Sequence, residues 1–219
     1  MTVGGVATYF PVLGLRASAG PLTLTGIDDD TLVALAELAA EGVHEPGTMP
    51  FPVPWTLRPP GEFQREFLRY HWRLRADFVP DAWSLELAVR HEGVLVGVQG
   101  VHTRDFLVTR TGETGSWLAL SRHGRGIGTS MRRTMCALLF DHLGFTEITS
   151  AAFVDNPASG AVSRKVGYRE NGVTRRRRGD GTCALSQGFV LTPDTLVRGP
   201  ELRVEGAGPV RRLIGLDAE

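Results

Sequence analysis

"SRHGRGIGTSM", Ser121 to Met131, sets three glycines and two arginines between two apolar runs. The run before it, "TGSWLAL", reads as a strand, and the run after it, "TSMRRTMCALLFDHLG", puts Met131, Met135, Leu138 and Leu139 on one stripe of a helix. A loop from strand to helix turns successive backbone N–H groups toward one point, backed by the positive end of the helix dipole. That arrangement suits a pyrophosphate. Glycines at 124, 126 and 128 keep side chains out of the way, and Ile127 between them can anchor the loop in the core. The loop lacks the lysine of a triphosphate P-loop, and a dinucleotide fingerprint starting at Gly124 would need glycine where Thr129 stands. Taken alone, it fits a phosphate cradle and an unliganded turn equally well.

Outward from the loop, the chain alternates strands and helices. "PLTLTG" predicts a strand, and "DDDTLVALAELAAEGV" a helix with Leu32, Leu35, Leu38 and Ala39 inward behind acidic capping residues. The proline-rich "HEPGTMPFPVPW" cannot be regular, yet it is too apolar for a solvated loop. "PGEFQREFLRYHWRLRADF" predicts a second helix with Phe63, Phe67, Tyr70 and Leu74 on its buried stripe. "WSLELAV" and "VLVGVQGVH" flank the turn "RHEG" as a hairpin. After the glycine loop and its helix come the strand "EITSAAFV", the helix "NPASGAVSRKVG" and a hairpin around "GDG". The tail from Thr192 to Glu219 carries a possible strand, "ELRVEG". These elements predict an α/β (α+β) protein with a mixed sheet and one strand-helix-strand crossover.

With 219 residues the chain can build one sizeable core, and 24 basic residues balance 24 acidic ones, so bulk charge recommends neither nucleic acid nor an anionic membrane. Cys136 and Cys183 have neither metal-ligand spacing nor the density of a disulfide scaffold, which fits a reducing, cytoplasmic setting without a metal. No segment has the roughly 18 apolar residues of a membrane span.

Two motifs carry a family resemblance. "HGRGIG", His123 to Gly128, resembles the Gln/Arg-x-x-Gly-x-Gly/Ala acyl-CoA pyrophosphate loop of the GNAT superfamily of N-acyltransferases, with His123 where that family usually has glutamine or arginine. "FVDNPASGAVSRKVGYRENG", Phe153 to Gly172, resembles the Asn-x-x-Ser helix of its ribosomal-protein-alanine N-acetyltransferase branch. Through "MPFPVPWT", "DAWSLELAV", "GVQG" and "TGSWL" the chain is similar to an actinobacterial subgroup that includes a mycobacterial member using succinyl-CoA. The resemblance covers about 15–191. It implies a GNAT fold, a mostly antiparallel sheet splayed where its central strands part, flanked by helices. Residues 1–14 would be an N-terminal extension, 15–191 the catalytic domain, and 192–219 a tail packed on the body or on the partner of a homodimer.

The same resemblance implies acyl transfer from acetyl-CoA or succinyl-CoA to the primary amine of a peptide N-terminus, a protein or a small molecule. The alternative is a noncatalytic CoA-binding module. The backbone of Trp117, Leu118 and Leu120 would hold the pantetheine arm and the oxyanion. His123, Gly124, Arg125, Gly126, Ile127, Gly128 and Thr129 would hold the pyrophosphate. Asn156 and Ser159 would contact the pantetheine arm, with Ser159 as the acid that protonates the leaving thiolate. Asn156 and Ser159 also suit helix capping, and Tyr168, a second acid candidate, also suits the core. For the general base, Glu113, Asp105 and Asp155 are candidates, as are His102 and His123 by their ordinary acidity. Arg122 and Arg125 flank the phosphate loop, and Arg164 and Lys165 lie on the next helix where adenosine would pass. Arg175 to Arg178 should alternate between faces of a hairpin strand, and any that faced the cleft would favour an acidic acceptor or a carboxylated acyl group. Met49, Phe51 and Trp55 are candidates for a pocket wall or for loop-to-core packing.

Overall fold

The computed structural model describes residues 5–217. Nine strands form one sheet: β1 (Arg16–Ala19), β2 (Leu22–Gly26), β3 (Ser84–His91), β4 (Val94–His102), β5 (Thr111–Leu118), β6 (Glu147–Phe153), β7 (Arg169–Arg177), β8 (Cys183–Leu191) and β9 (Leu202–Glu205). Their spatial order is β7-β8-β6-β5-β4-β3-β2-β1-β9. Every neighbouring pair is antiparallel except β5 and β6, which run parallel and pair only from Thr111↔Glu147 to Glu113↔Thr149. Beyond that point the two strands part. Five further residues of β5 and four of β6 flank the opening. It is the splay implied by the sequence.

Six α-helices cover the sheet: α1 (Asp29–Ala40), α2 (Glu62–Ala76), α3 (Phe106–Thr109), α4 (Ile127–His142), α5 (Pro157–Val166) and α6 (Ala207–Leu213). On one face, α4 lays Met135, Leu138 and Leu139 into the larger core with Leu85, Leu87 and Val101 of the sheet. Each fully buried side chain of this kind stabilises the fold by about 1.5–3 kcal/mol. On the other face, α1 and α2 pack Leu32, Leu35, Phe63 and Phe67 over Ala88 and Val98. The Asp28 carboxylate caps α1 by accepting from the amide of Thr31 at 2.8 Å.

The stripe of α2 differs from the sequence expectation: Tyr70 is exposed, and His71 is the buried residue that follows Phe67. Phe63, Phe67 and His71 repeat at four residues, so Tyr70 falls one position off the stripe. Leu38 is likewise only half-buried, and Ala36 takes its place against the sheet. Three elements had no expectation at all: β1, the single-turn α3 and α6. β9 is a real strand and pairs with β1 at the far edge. Val210 and Ile214 of the following segment are buried in the larger core. Val197 donates to the Val166 carbonyl, and Arg198 pairs with Asp141 at 2.6 Å, so this tail runs along the back of the molecule. No helix among the described residues is long and apolar enough to cross a membrane.

Candidate active site

The site gathers where β5 and β6 diverge. β5 ends at Leu118, a single 3-10 turn spans Leu120–Arg122, and α4 starts at Ile127. Between them Gly124 and Gly126 adopt φ of +74° and +77°. These left-handed conformations cost other residues about 1–2 kcal/mol each, which accounts for glycine at both. No atom lies within 4 Å of where a Cβ would stand at either glycine, so the loop faces open space. The first bond of the helix is Ser130 N–H to Gly126 O at 3.1 Å. The amides of Ile127, Gly128 and Thr129 therefore precede the hydrogen-bonded ladder and remain as donors at the positive helix end. Ile127 is buried among Leu118 and Met131 and fixes the loop from beneath. Arg125 is exposed at the rim, whereas Arg122 is half-buried.

His123 has a different partner from a phosphate. Its Nε2 lies 3.1 Å from the Leu118 carbonyl oxygen and donates to it, tying the loop to the end of the strand. Beyond the strand, Ala119 N–H bonds Val96 O, and Leu120 N–H bonds Gly42 O at 3.0 Å, so both amides are spent within the protein. The Thr114 carbonyl accepts from Ser150 of β6. Alternation along a strand then turns the backbone groups of Ser116 and Leu118 toward the opening, and those of Trp117 toward β4.

The opening is braced from below by Arg132 of α4. This buried guanidinium donates to Gln99 Oε1 at 3.1 Å, Thr114 Oγ1 at 3.2 Å, Ser150 Oγ at 3.0 Å and Ser116 Oγ at 3.0 Å. It thus reaches β4, β5 and β6 together and supplies donors where the ladder between β5 and β6 stops. All four acceptors are neutral. A buried charge without a carboxylate partner is rare, because desolvation must be offset by hydrogen bonds alone. The sequence reading passed over Arg132. Its signal was an arginine next to Met131, one helical turn before Met135 and Cys136 of the buried stripe.

On β6 the chain turns at Asn156, whose side chain caps α5 by accepting from the Ser159 amide at 3.2 Å. Asn156 thus carries the capping role, and the half-buried Ser159 hydroxyl forms no hydrogen bond among the described residues. Tyr168 is core: its hydroxyl lies 2.9 Å from Thr114 Oγ1 and 3.4 Å from Cys136 Sγ, and burial pushes its pKa well up. Arg164 is paired with Glu170 at 2.7 Å, while Lys165 is exposed. Asp155 is held by Arg178, whose Nη2 is 2.7 Å from both carboxylate oxygens. That pairing occupies both oxygens of Asp155. Asp105 stands exposed before α3, and Glu113 is exposed on β5.

Arg175, Arg176 and Arg177 are exposed along edge strand β7 and pair with Leu185, Ala184 and Cys183. Register alternation puts Arg175 and Arg177 on the opposite face from Arg176. Arg178 sits over the Phe153 ring at 4.6 Å, and Gly179 N–H bonds Phe51 O. The hairpin tip thereby meets the proline-rich loop. In that loop Met49 is buried, Phe51 packs on Trp55 at 5.1 Å, and Trp55 in turn packs on Phe63, Phe67 and Trp117 at 6.0 Å each. Loop, α2 and β5 are thus joined by one aromatic cluster beside the opening.

A splayed sheet, a glycine loop of free amides and a long helix behind it place the chain among mixed α/β folds whose central parallel strands part at a strand-to-helix loop. The chain belongs to the acetyltransferase (GNAT) domain family, which it matches over residues 22–169. It is 31% identical over 111 residues to YdaF of Bacillus subtilis (strain 168), whose name provisionally assigns it to ribosomal N-acetylation; the match spans 51% of this chain and 58% of that relative. Among solved structures, Mycobacterium smegmatis RimJ with a CoA disulfide is similar with a TM-score of 0.66 at 22% identity, over 90% of each chain. RimL, the ribosomal L7/L12 α-N-protein acetyltransferase, with coenzyme A gives 0.61 at 16% identity, over 80% of this chain and 96% of that one. The microcin C7 immunity acetyltransferase MccE with acetyl-CoA and AMP gives 0.60 at 15% identity, over 78% and 92%. These three likenesses establish the shared fold.

Proposed function

We propose that the protein transfers an acetyl group from acetyl-CoA to the primary amine of a peptide or protein N-terminus, by direct attack within a ternary complex. One observation carries the reading: the free amides at the start of α4 border the unpaired ends of β5 and β6, so a pyrophosphate held by the loop leads its pantetheine arm into the opening. In this reading Gly124 to Thr129 hold the pyrophosphate through backbone N–H groups. His123 and Ile127 fix the loop, and Arg125 adds charge at the rim. Ser116 and Leu118 offer backbone groups to the pantetheine arm and to the oxyanion of the tetrahedral intermediate. Ser159, its hydroxyl unspent, protonates the departing thiolate. Asn156 sets its position. Relatives named for ribosomal N-acetylation support the choice of acceptor class.

A second donor, succinyl-CoA, is favoured by one feature. Arg132 carries a positive charge beneath the opening with only neutral partners, and a carboxylated acyl group would balance it. The hairpin arginines lend less support, because Arg178, the one packed on Phe153 at the end of β6, is already matched by Asp155. A homodimer and a reducing compartment stay within the proposal; both cysteines are free thiols. The test is release of free thiol from acetyl-CoA and from succinyl-CoA with a peptide bearing a free N-terminal serine. Turnover is the expected result. CoA binding without turnover on any amine would instead make the protein a noncatalytic CoA-binding module.

A further inference from the structure

β3, β4 and β5 form a grid on the face turned toward α2. Across it, Ser84 pairs with His102 and His102 with Glu113; Glu86 pairs with Gly100 and Gly100 with Gly115; Ala88 pairs with Val98 and Val98 with Trp117. The middle row holds one acidic side chain followed by two residues without any. A Cβ added at Gly100 would stand 2.5 Å from all three carboxyl atoms of Glu86, so that carboxyl lies across Gly100 and points along the row. At Gly115 a Cβ would meet nothing within 4 Å. The open space at the end of the row belongs to β5, the strand that borders the opening. Neighbouring strands stand about 4.8 Å apart, so about one strand spacing separates the carboxyl from β5, enough for a single nitrogen or a water.

We propose that Glu86 is the catalytic base that takes the proton from the acceptor amine, reaching it through the gap left by Gly100 and Gly115. The inference rests on the acyltransferase reading above. In the step, the neutral amine attacks the thioester carbonyl, a C–N bond forms and the C–S bond breaks. The nitrogen's proton passes to Glu86, and the thiolate receives the Ser159 proton; water then takes up the first and restores the second. Amine and thioester become amide and thiol.

The surroundings suit that task. The Glu86 side chain is 13% exposed, and burial pushes its pKa up to about 8, a carboxylate basic enough to accept a proton near neutral pH. His102 Nε2 lies 3.3 Å from Glu86 Oε1, and its Nδ1 is 2.8 Å from the Ser84 hydroxyl, which holds the ring against the carboxyl. Burial lowers the His102 pKa, countered by Glu113, which favours the neutral ring. From α2, His71 is lowered to about 4 by burial, with Arg75 adding to it, and Arg75 itself is committed to Asp29 at 2.6 Å. Tyr70, 42% exposed overall, has its pKa raised by the part that is buried, with the Glu86 charge as the lesser cause. None of these neighbours balances the Glu86 charge. Of the alternatives, Asp105 and Glu113 are exposed on the surface, and Asp155 is paired with Arg178.

The experiment measures thiol release from acetyl-CoA with the N-terminal serine peptide across pH 6 to 10, for wild type, Glu86→Gln, Gly100→Ala and Glu113→Gln. Glu86→Gln should lower kcat at least 100-fold, with KM for the peptide within threefold and acetyl-CoA affinity unchanged. The wild-type rise of kcat/KM through about pH 8 should vanish with it. Gly100→Ala keeps the carboxylate but displaces it, and should lose about 10-fold or more. Carbon-13 detection of the Glu86 carboxyl, assigned by its absence in Glu86→Gln, should titrate with the same midpoint. Full kcat in Glu86→Gln would overturn the assignment while leaving the acyltransferase reading intact. So would a raised KM at constant kcat, loss of the pH limb in Glu113→Gln instead, or a Glu86 carboxyl that titrates near 4.5. Wild type that releases no thiol would end both readings together.

Discussion

The two faces of β5 solve opposite problems with one strand. Toward α4, Thr114 and Ser116 offer hydroxyls to Arg132, and Leu118 closes the core: a charge is buried and four of its five N–H groups are met by β4, β5 and β6. Toward α2, Gly115 offers nothing and Glu113 and Trp117 stand either side of a gap, with the Glu86 carboxyl, flanked by His102, directed at it. One face spends its polar groups on structure, and the other keeps them available. The proposed reaction needs both, because its opening would have to be rigid beside the cofactor arm and vacant where the second substrate enters.

This contrast gives the larger predictions. Glu86 is protonated in the fold up to about pH 8 but ionises near 4.5 in the unfolded chain, so its stabilising effect is complete below pH 4.5 and disappears as pH rises to 8. Wild type should therefore lose on the order of 3 kcal/mol of stability between pH 5 and pH 9 that Glu86→Gln retains. Denaturant unfolding at the two pH values checks it; parallel losses in both proteins would erase the contrast. Arg132→Met should cost about 2 kcal/mol at either pH, since it removes donors from four buried or half-buried acceptors and titrates nothing in this range. A pH-dependent effect there would contradict the assignment of Arg132 to structure. Ser159→Ala should lower kcat about 10-fold with unchanged stability, read by thiol release. Asn156→Ala should cost about 1 kcal/mol through the lost cap of α5, read by thermal unfolding.

The glycine loop and the start of α5 were legible in the sequence and the row across β3, β4 and β5 was not, for a physical reason. The glycine loop and the Asn-x-x-Ser turn are local: a dozen consecutive residues specify strand, positive-φ turns and helix start, so Gly124, Gly126 and Ser159 could be picked out from spacing and resemblance. Glu86 depends on register across three strands. The two-residue turn at Glu92 and Gly93 sets His91 against Val94, and counting back from it without interruption would place Glu86 opposite Gln99. A bulge between Val89 and Arg90 shifts the ladder by one and brings Glu86 to Gly100 instead. Gly97 permits it, for a Cβ there would stand 2.2 Å from the Trp117 carbonyl. Tyr70 was misread in the same way, by one position on a helix whose apolar stripe includes a histidine. Arg132 drew no expectation because nothing in the sequence tells how many hydroxyls from other strands will surround it.

The central claim is that backbone amides at the start of α4 hold the pyrophosphate of an acyl-CoA. Calorimetric titration of acetyl-CoA into wild type and into Gly126→Glu tests it most directly. The substitution puts a carboxylate into the open side of the loop at φ +77°, where charge and conformation both oppose a phosphate. The account predicts one site per chain in wild type and at least 100-fold weaker binding in a variant that still folds, about 2.7 kcal/mol. Equal affinity in the two proteins, or none in folded wild type, would contradict it.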